Sequence, residues 1–218
     1  AKWQVQWRAY QKKYPVLGAQ LQLQMQGRFG EQWQAWCQQQ QAWAKKQVES
    51  CSTRKASWHC LNALAPKMPA LFGGSADLTD SNLTKWQGAQ TFNQTRVGRY
   101  LHFGVREFAQ NAIANGLALH GGLVPFVGTF MTFIDYGKNA LRLAAMMRVR
   151  TIFVLTHDSI GLGEDGPTHQ PIEHLAHLRS MPHVRVWRPC DLFETMVSWQ
   201  AALSYQGPSC LVLSRQTL

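Results

Sequence analysis

The sequence predicts an α/β fold: a mostly parallel sheet with helices on both faces, preceded by a short helical connector. Three observations carry that prediction. The apolar run at 151–156 reads as a strand buried in a parallel sheet. Strand-like runs alternate along the chain with longer stretches of helical periodicity, the pattern of βαβ units. A loop rich in glycine and proline follows 151–156, and α/β folds hold ligands in such loops at the carboxyl ends of parallel strands.

Residues 1–51 differ in texture from the rest. Fourteen of the first fifty residues are Gln, four of them consecutive at 38–41, and five are Trp. Trp3, Trp7 and Tyr10 fall at helical spacing, as do Trp33, Trp36 and Cys37. Pro15, Gly18, Gly27 and Gly30 divide the segment into short pieces. We expect a few amphipathic helices docked through their Trp faces onto something larger; the Gln bias alternatively marks a low-complexity linker.

The pattern sharpens into one domain over 52–218. A helix is expected over 54–64, with Ala56, Cys60, Leu61 and Leu64 on one side and Pro66 and Pro69 ending it. Leu71-Phe-Gly-Gly-Ser-Ala-Asp-Leu78 reads as a short strand running into a glycine-rich turn. Polar loop follows at 82–93, then a short strand at 100–103. A helix over 105–120 is expected to bury Phe108, Ile113 and Leu117 and to stop at Gly121-Gly122. Next come a strand at 123–127, a long helix over 130–147 with Phe133, Ile134, Ala140, Leu141, Ala144 and Ala145 as its apolar side, and the strand at 151–156. Beyond the loop, Ile172, Leu175, Ala176 and Leu178 repeat at helical spacing. A strand at 183–187, a helix over 191–205 and a strand at 209–213 complete the chain. No internal repeat is visible.

Composition bounds the function. The 218 residues are 45% hydrophobic, an ordinary globular content. No run approaches the ~18 apolar residues of a membrane span, and no secretory signal opens the chain. Five cysteines, Cys37, Cys51, Cys60, Cys190 and Cys210, lack metal or disulfide-framework spacing, which points to free thiols in a reducing cytoplasm. The net charge of +10 raises a nucleic-acid reading. Of that, +7 lies in residues 1–55 and +3 in the remaining 163, so the excess sits on the arm as a solvated surface. A binding module whose basic, Trp-containing arm contacts nucleic acid is the rival of another class, and it leaves the loop after 151–156 unexplained.

That loop, His157-Asp-Ser-Ile-Gly-Leu-Gly-Glu-Asp-Gly-Pro-Thr-His-Gln-Pro-Ile-Glu173, is the most informative stretch. Two imidazoles and a carboxylate (His157, His169, Asp165) in a glycine-shaped loop suit a polyhydroxylated substrate and proton transfer near neutral pH. No Cys or second His stands at metal-ligand spacing from either histidine. The run resembles the sugar-contacting loop of transketolases. A second block supports it: Tyr100-Leu-His-Phe-Gly-Val-Arg-Glu-Phe-Ala-Gln-Asn-Ala-Ile-Ala-Asn-Gly is similar to the transketolase segment holding the glutamate that activates thiamine diphosphate. A Glu at a helix start otherwise complements the macrodipole. The third block, Gly128-Thr-Phe130-Met-Thr-Phe133-Ile-Asp-Tyr136, matches the family's aromatic pocket.

The resemblance implies the following roles. Glu107 would hydrogen-bond N1′ of the cofactor's aminopyrimidine and so assist its activation. Phe133 would stack on that ring, with Phe130 next and Tyr136 as a wall. Arg54, Ser81, His157 and Arg215 would hold the sugar phosphate, where bidentate guanidinium bonds suit a dianion. Asp165 would accept from a sugar hydroxyl, and His169 would face the donor's hydroxyls and assist proton transfer. The joint presence of His157, Asp165 and His169 favours a transketolase over sister enzymes such as dihydroxyacetone synthase or deoxyxylulose-phosphate synthase.

The implied whole is a cytoplasmic homodimer of the pentose phosphate pathway. It would move a two-carbon ketol group between ketose and aldose phosphates, using thiamine diphosphate and Mg²⁺ or Ca²⁺. No Gly-Asp-Gly metal segment is present, so the metal ligands are expected outside this chain, on the diphosphate-binding domain of a second subunit. These residues alone are expected to be inert, with neither nucleic acid nor membrane as partner.

Overall fold

The computed structural model describes residues 2–47, 49–93 and 97–218. Its centre is a sheet of strands β1 (Leu71–Ser75), β2 (Tyr100–His102), β3 (Val124–Phe130), β4 (Ile152–Thr156), β5 (Arg185–Trp187) and β6 (Ser209–Leu213). Their order is β2-β1-β3-β4-β6-β5, and every pairing is parallel. The helices are α1 (Lys2–Lys13), α2 (Pro15–Met25), α3 (Trp33–Ala44), α4 (Thr53–Lys67), α5 (Thr79–Asn82), α6 (Glu107–His120), α7 (Ile134–Met147), α8 (His174–Ser180) and α9 (Leu192–Ser204). The chain steps from β1 outward to β2 and then back across to β3. The loops leaving β1 and β3 therefore diverge, and a crevice opens at the carboxyl ends of these strands.

Alternation along the strands splits the interior into two cores, one on each face. Phe126, Ile152, Val154, Leu211 and Leu213 pack with Leu61 and Leu64 of α4 and with Trp199 and Leu203 of α9. Val127, Phe153, Leu155, Cys210 and Val212 pack with Leu141 and Ala144 of α7 and Leu178 of α8. All five strand residues of β4 and of β6 are buried, so their nearly continuous apolar sequence, broken only by Thr156 and Ser209 at one end of each, is what a strand covered on both faces requires. Local signals fix the helix starts. Ser52 caps α4 by accepting from Lys55 N at 3.4 Å, and Asp191 caps α9 by accepting from Glu194 N at 2.7 Å.

Several expectations need correction. Pro66 lies inside the last turn of α4 rather than beyond it. Gly73 and Gly74 belong to β1 itself, not to a turn: a Cβ on Gly74 would overlap the Leu101 carbonyl, and one on Gly73 the Phe126 carbonyl. Phe130 ends β3, and α7 begins only at Ile134, so the aromatic series 130–133–136 is not one helical stripe. Ile172 lies before α8 and is exposed.

The largest correction concerns α6. Phe108 and Ile113 are exposed, while Glu107, Gln110, Asn111, Ala114 and Asn115 face inward. The nitrogens of these buried amides donate to carbonyls of packed neighbours. Asn111 Nδ2 donates to Gly137 O at 3.2 Å, Asn115 Nδ2 to Ala140 O at 2.8 Å, and Gln110 Nε2 to Gly128 O at 3.2 Å. Such bonds lower the penalty of burying these amides, although the oxygens of Gln110 and Asn111 find no partner, and leave the apolar side of α6 facing outward.

The amino-terminal arm is helical, and its two Trp groups behave differently. Trp33, Trp36 and Phe29 pack against the α4/α9 core, and Gln200 of α9 accepts from Gln41 Nε2 at 2.6 Å and donates to Cys37 O at 3.2 Å. Trp3, Trp7, Tyr10 and Tyr14 instead form an aromatic ladder along α1, which buries no residue. Gly18 does not break the arm; it lies inside α2, where a Cβ would stand 3.0 Å from Gln11 Cγ across the α1–α2 contact. All five cysteines are free. Among the described residues, no helix is long and apolar enough to cross a membrane.

Candidate active site at the carboxyl edge of the sheet

The residues that follow β4 and β6, and those that open α4, meet at one edge. The amino end of α4 is tied to the end of β6 by reciprocal bonds: Thr53 N donates to Ser214 Oγ at 3.0 Å, and Ser214 N donates to Thr53 Oγ1 at 2.7 Å. That clamp sets Arg54 beside Arg215. Arg54 reaches across to the loop after β1, donating from Nη1 to Ser81 O at 2.6 Å, while its buried Nε has no hydrogen-bond partner. Arg215 Nη2 meets Glu164 Oε1 of the long loop at 3.1 Å. Both members of that pair are exposed enough for the attraction to be weak and easily exchanged for a ligand.

His157 lies between the two arginines. It directly follows β4, and its backbone is in the left-handed region (φ 59°), an uncommon state for a side chain with a Cβ. The imidazole is 3% exposed and stacks on Phe130 with ring centroids 3.6 Å apart. Its pKa is pushed from the ordinary 6.5 down to about 3, first by burial and then by the positive fields of Arg54, Arg215 and His169. Burial and the neighbouring Arg215 likewise depress the pKa of Arg54, with Asp165 acting the other way. These mutual fields show that Arg54, Arg215, His157, His169 and Asp165 share one electrostatic neighbourhood. It is a cationic cluster around a neutral imidazole, a field that favours an anion.

A row of rings extends from this pocket. Phe130 and Phe133 are stacked at 5.6 Å with planes 4° apart, and Phe133 meets Tyr136 at 6.2 Å. His169, placed by a 3-10 turn over Pro167–His169, sets its edge against Phe133 at 5.0 Å. Phe130 is almost wholly buried between His157 and Phe133, whereas Tyr136 is 69% exposed. The open part of the row is therefore Phe133 and Tyr136.

Glu107 begins α6 next to the start of α7; a Cβ on Gly137 would lie 3.1 Å from the Glu107 carbonyl oxygen. The residue as a whole is 8% exposed. That contact brings the start of α6 close to the turn of α7 that follows Tyr136.

Two groupings escaped the sequence reading because their members are far apart in the chain. Asp158, whose side chain is buried, pairs with Arg188 through two bonds of 2.9 and 3.1 Å. Asp135, Glu173 and His174 bring their ligating atoms within 4.8 Å of one another, with His174 Nε2 at 3.0 Å from Asp135 Oδ2. An imidazole is a poor partner for Mg²⁺ or Ca²⁺, which take oxygen ligands, so this trio serves to tie α7 to α8 by the His174–Asp135 hydrogen bond.

Comparison with known proteins agrees with this geometry. The family described as "Transketolase, pyrimidine binding domain" matches residues 49–218. A plasmid-borne transketolase of Cupriavidus necator is 51% identical over 219 residues, covering 100% of this chain and 33% of that protein. Transketolase 1 of Escherichia coli is 46% identical over 99% of this chain and 33% of its own length. The chain thus spans about a third of the curated relatives it matches. Among solved structures, a transketolase from Leishmania mexicana superimposes with a TM-score of 0.92 at 47% identity, over 99% of this chain and 32% of that one. A Pichia stipitis transketolase in complex with sedoheptulose-7-phosphate gives 0.92 at 43% identity, over 100% and 33%. A split-gene transketolase described as an inactive beta4 tetramer gives 0.63 at 26% identity, over 77% and 53%.

Proposed function

The chain belongs to the transketolase family through its pyrimidine-binding domain, and from that premise we propose that it supplies the pyrimidine side and the sugar-phosphate pocket of a transketolase. The reaction is transfer of a two-carbon ketol group from a ketose phosphate to an aldose phosphate. Residues 52–218 form the pyrimidine-binding domain, and 1–51 the connector that precedes it. The observation that carries the reading is the cationic cluster of Arg54 and Arg215 around a buried His157, whose ring stacks on the first member of the aromatic row Phe130–Phe133–Tyr136.

When bound, thiamine diphosphate supplies the electron sink that allows a bond to a carbonyl carbon to break. This chain's residues bind and position. Glu107 holds a proton against N1′ of the aminopyrimidine, Phe133 offers its face to that ring, and Tyr136 closes the outer side. Phe130 packs between Phe133 and His157 and keeps both rings in register. Arg54 and Arg215, with Ser81 and His157, hold the phosphate of the sugar. Asp165 accepts from a sugar hydroxyl, and His169 faces the reacting carbons and moves protons there.

The diphosphate and its Mg²⁺ or Ca²⁺ belong to the diphosphate-binding domain of a second subunit in a cytoplasmic homodimer of the pentose phosphate pathway. The exposed Phe108, Ile113, Leu143 and Met146 of α6 and α7 form an apolar surface suited to that partner. A relative made of a shorter chain and described as inactive supports the need for the other half. In the full-length protein, Glu107→Gln should lower turnover by about 10²–10⁴-fold with melting temperature unchanged, as for a lost proton-transfer partner. Turnover near the parent level at saturating thiamine diphosphate would overturn the assignment.

A further inference from the structure

We propose that Thr156 and Asn82 are positioning residues that fix His157 as the Nδ1–H tautomer, so that Nε2 alone is offered to the phosphate of the sugar; the inference rests on the phosphate-binding reading of His157 above. Its basis is a buried chain of hydrogen bonds linking four elements. Ser75 Oγ, at the end of β1, donates to Gly128 O of β3 at 3.1 Å. Asn82 Nδ2 of α5 donates to Ser75 Oγ at 2.8 Å. Thr156 Oγ1, the last residue of β4, donates to Asn82 Oδ1 at 2.6 Å. His157 Nδ1 lies 2.8 Å from Thr156 Oγ1.

The directions in this chain follow from its beginning. A carbonyl can only accept, so Ser75 gives its one proton to Gly128 and accepts from the Asn82 amide nitrogen. The other end of the amide, its oxygen, must then face Thr156. A separation of 2.6 Å is ordinary for O–H···O and short for N–H···O, which agrees with Thr156 as the donor there. Having spent its single proton on Asn82, the Thr156 hydroxyl can only accept from the imidazole. Nδ1 must bring that proton. Ser75, Asn82 and Thr156 are fully buried, so no water can substitute for a missing partner.

The arrangement separates two jobs that one imidazole otherwise mixes. Nδ1 keeps its proton and its partner whatever the charge state, while Nε2 gains or loses a proton without the ring turning. In the empty pocket, burial and the fields of Arg54 and Arg215 keep Nε2 bare. A phosphate dianion offsets those fields, so Nε2 takes up a proton from solvent and donates it to a phosphate oxygen. The ring neither flips nor loses its stack on Phe130.

The test uses the full-length protein and compares KM for a five-carbon ketose phosphate with KM for the same ketose without its phosphate. Thr156→Val removes the acceptor while keeping the shape, and Thr156→Ser restores a hydroxyl. We expect Thr156→Val to raise KM for the phosphorylated donor by about tenfold more than for the unphosphorylated one, the size of one charge-assisted hydrogen bond lost. His157→Ala should show the same selectivity, and Thr156→Ser should recover most of it. Selective loss in His157→Ala without any in Thr156→Val would sink the relay while leaving the phosphate role of His157 standing. No selectivity in His157→Ala would sink that role, and the relay with it. Equal loss in Thr156→Ser and Thr156→Val would show that the hydroxyl is not the active feature. Neutron diffraction on deuterated crystals gives a readout independent of activity: deuterium on Nδ1 of His157 is expected, and deuterium on Nε2 alone overturns the proposal.

Discussion

Replacing Gly137 with alanine should destabilise the domain, although helix propensity argues the opposite. Gly137 lies in α7, where exchange of Gly for Ala favours the helix by about 1 kcal/mol. The new Cβ, however, would overlap the side-chain amide nitrogen of Asn111 and come within 3.1 Å of Asn111 Cγ and of the Glu107 carbonyl oxygen. Asn111 is fully buried and cannot swing to water. Its Nδ2 bond to Gly137 O, 3.2 Å, is its anchor, and its Oδ1 already has no partner. Breaking that bond with the amide still buried costs about 1–3 kcal/mol, and prising α6 from α7 costs a similar amount. Either route offsets the propensity gain and leaves a net loss of up to about 2 kcal/mol. Equilibrium urea unfolding followed by circular dichroism measures it: the midpoint should fall with the slope unchanged. A midpoint equal to or above that of the parent would refute the close contact of α6 with α7.

Other expected outcomes concern the pocket. Arg54→Ala and Arg215→Ala, in the full-length protein, should raise KM for phosphorylated sugars far more than for unphosphorylated analogues, because a remote phosphate contributes uniform binding; equal losses for both substrates would make these arginines structural. His157 also predicts a pH dependence of stability. Its folded pKa, about 3, lies below the ordinary 6.5, so as pH falls below 6.5 the unfolded chain takes up a proton that the folded chain refuses. Stability should therefore decline from about pH 6.5 toward pH 3, and His157→Gln should flatten that part of the melting-temperature profile.

The sequence by itself determined the class of fold and the place of the chemistry. Strands such as Ile152–Thr156 and Ser209–Leu213 are apolar except for one end residue each, Thr156 and Ser209, because they are covered on both faces, and that is visible without coordinates. Three glycines and two prolines between β4 and α8 announced the loop that carries His157, Asp165 and His169. Local chemistry was legible because it is local: caps, breaks and loop residues act within a few positions of where they stand.

The inward face of α6 was not legible. Its helical period is plain, but Phe108 and Ile113 point out and Asn111 and Asn115 point in, since the carbonyls that satisfy those amides come from α7, more than twenty residues along the chain. Tertiary packing likewise turned Gly73 and Gly74 from turn formers into strand residues pressed against neighbouring backbones. It also gathered Ser75, Asn82, Thr156 and His157 into one hydrogen-bonded line, although only His157 carries a local sign of function. Periodicity reports which residues share a side of an element. Which side is buried depends on partners that the folded chain alone brings into reach.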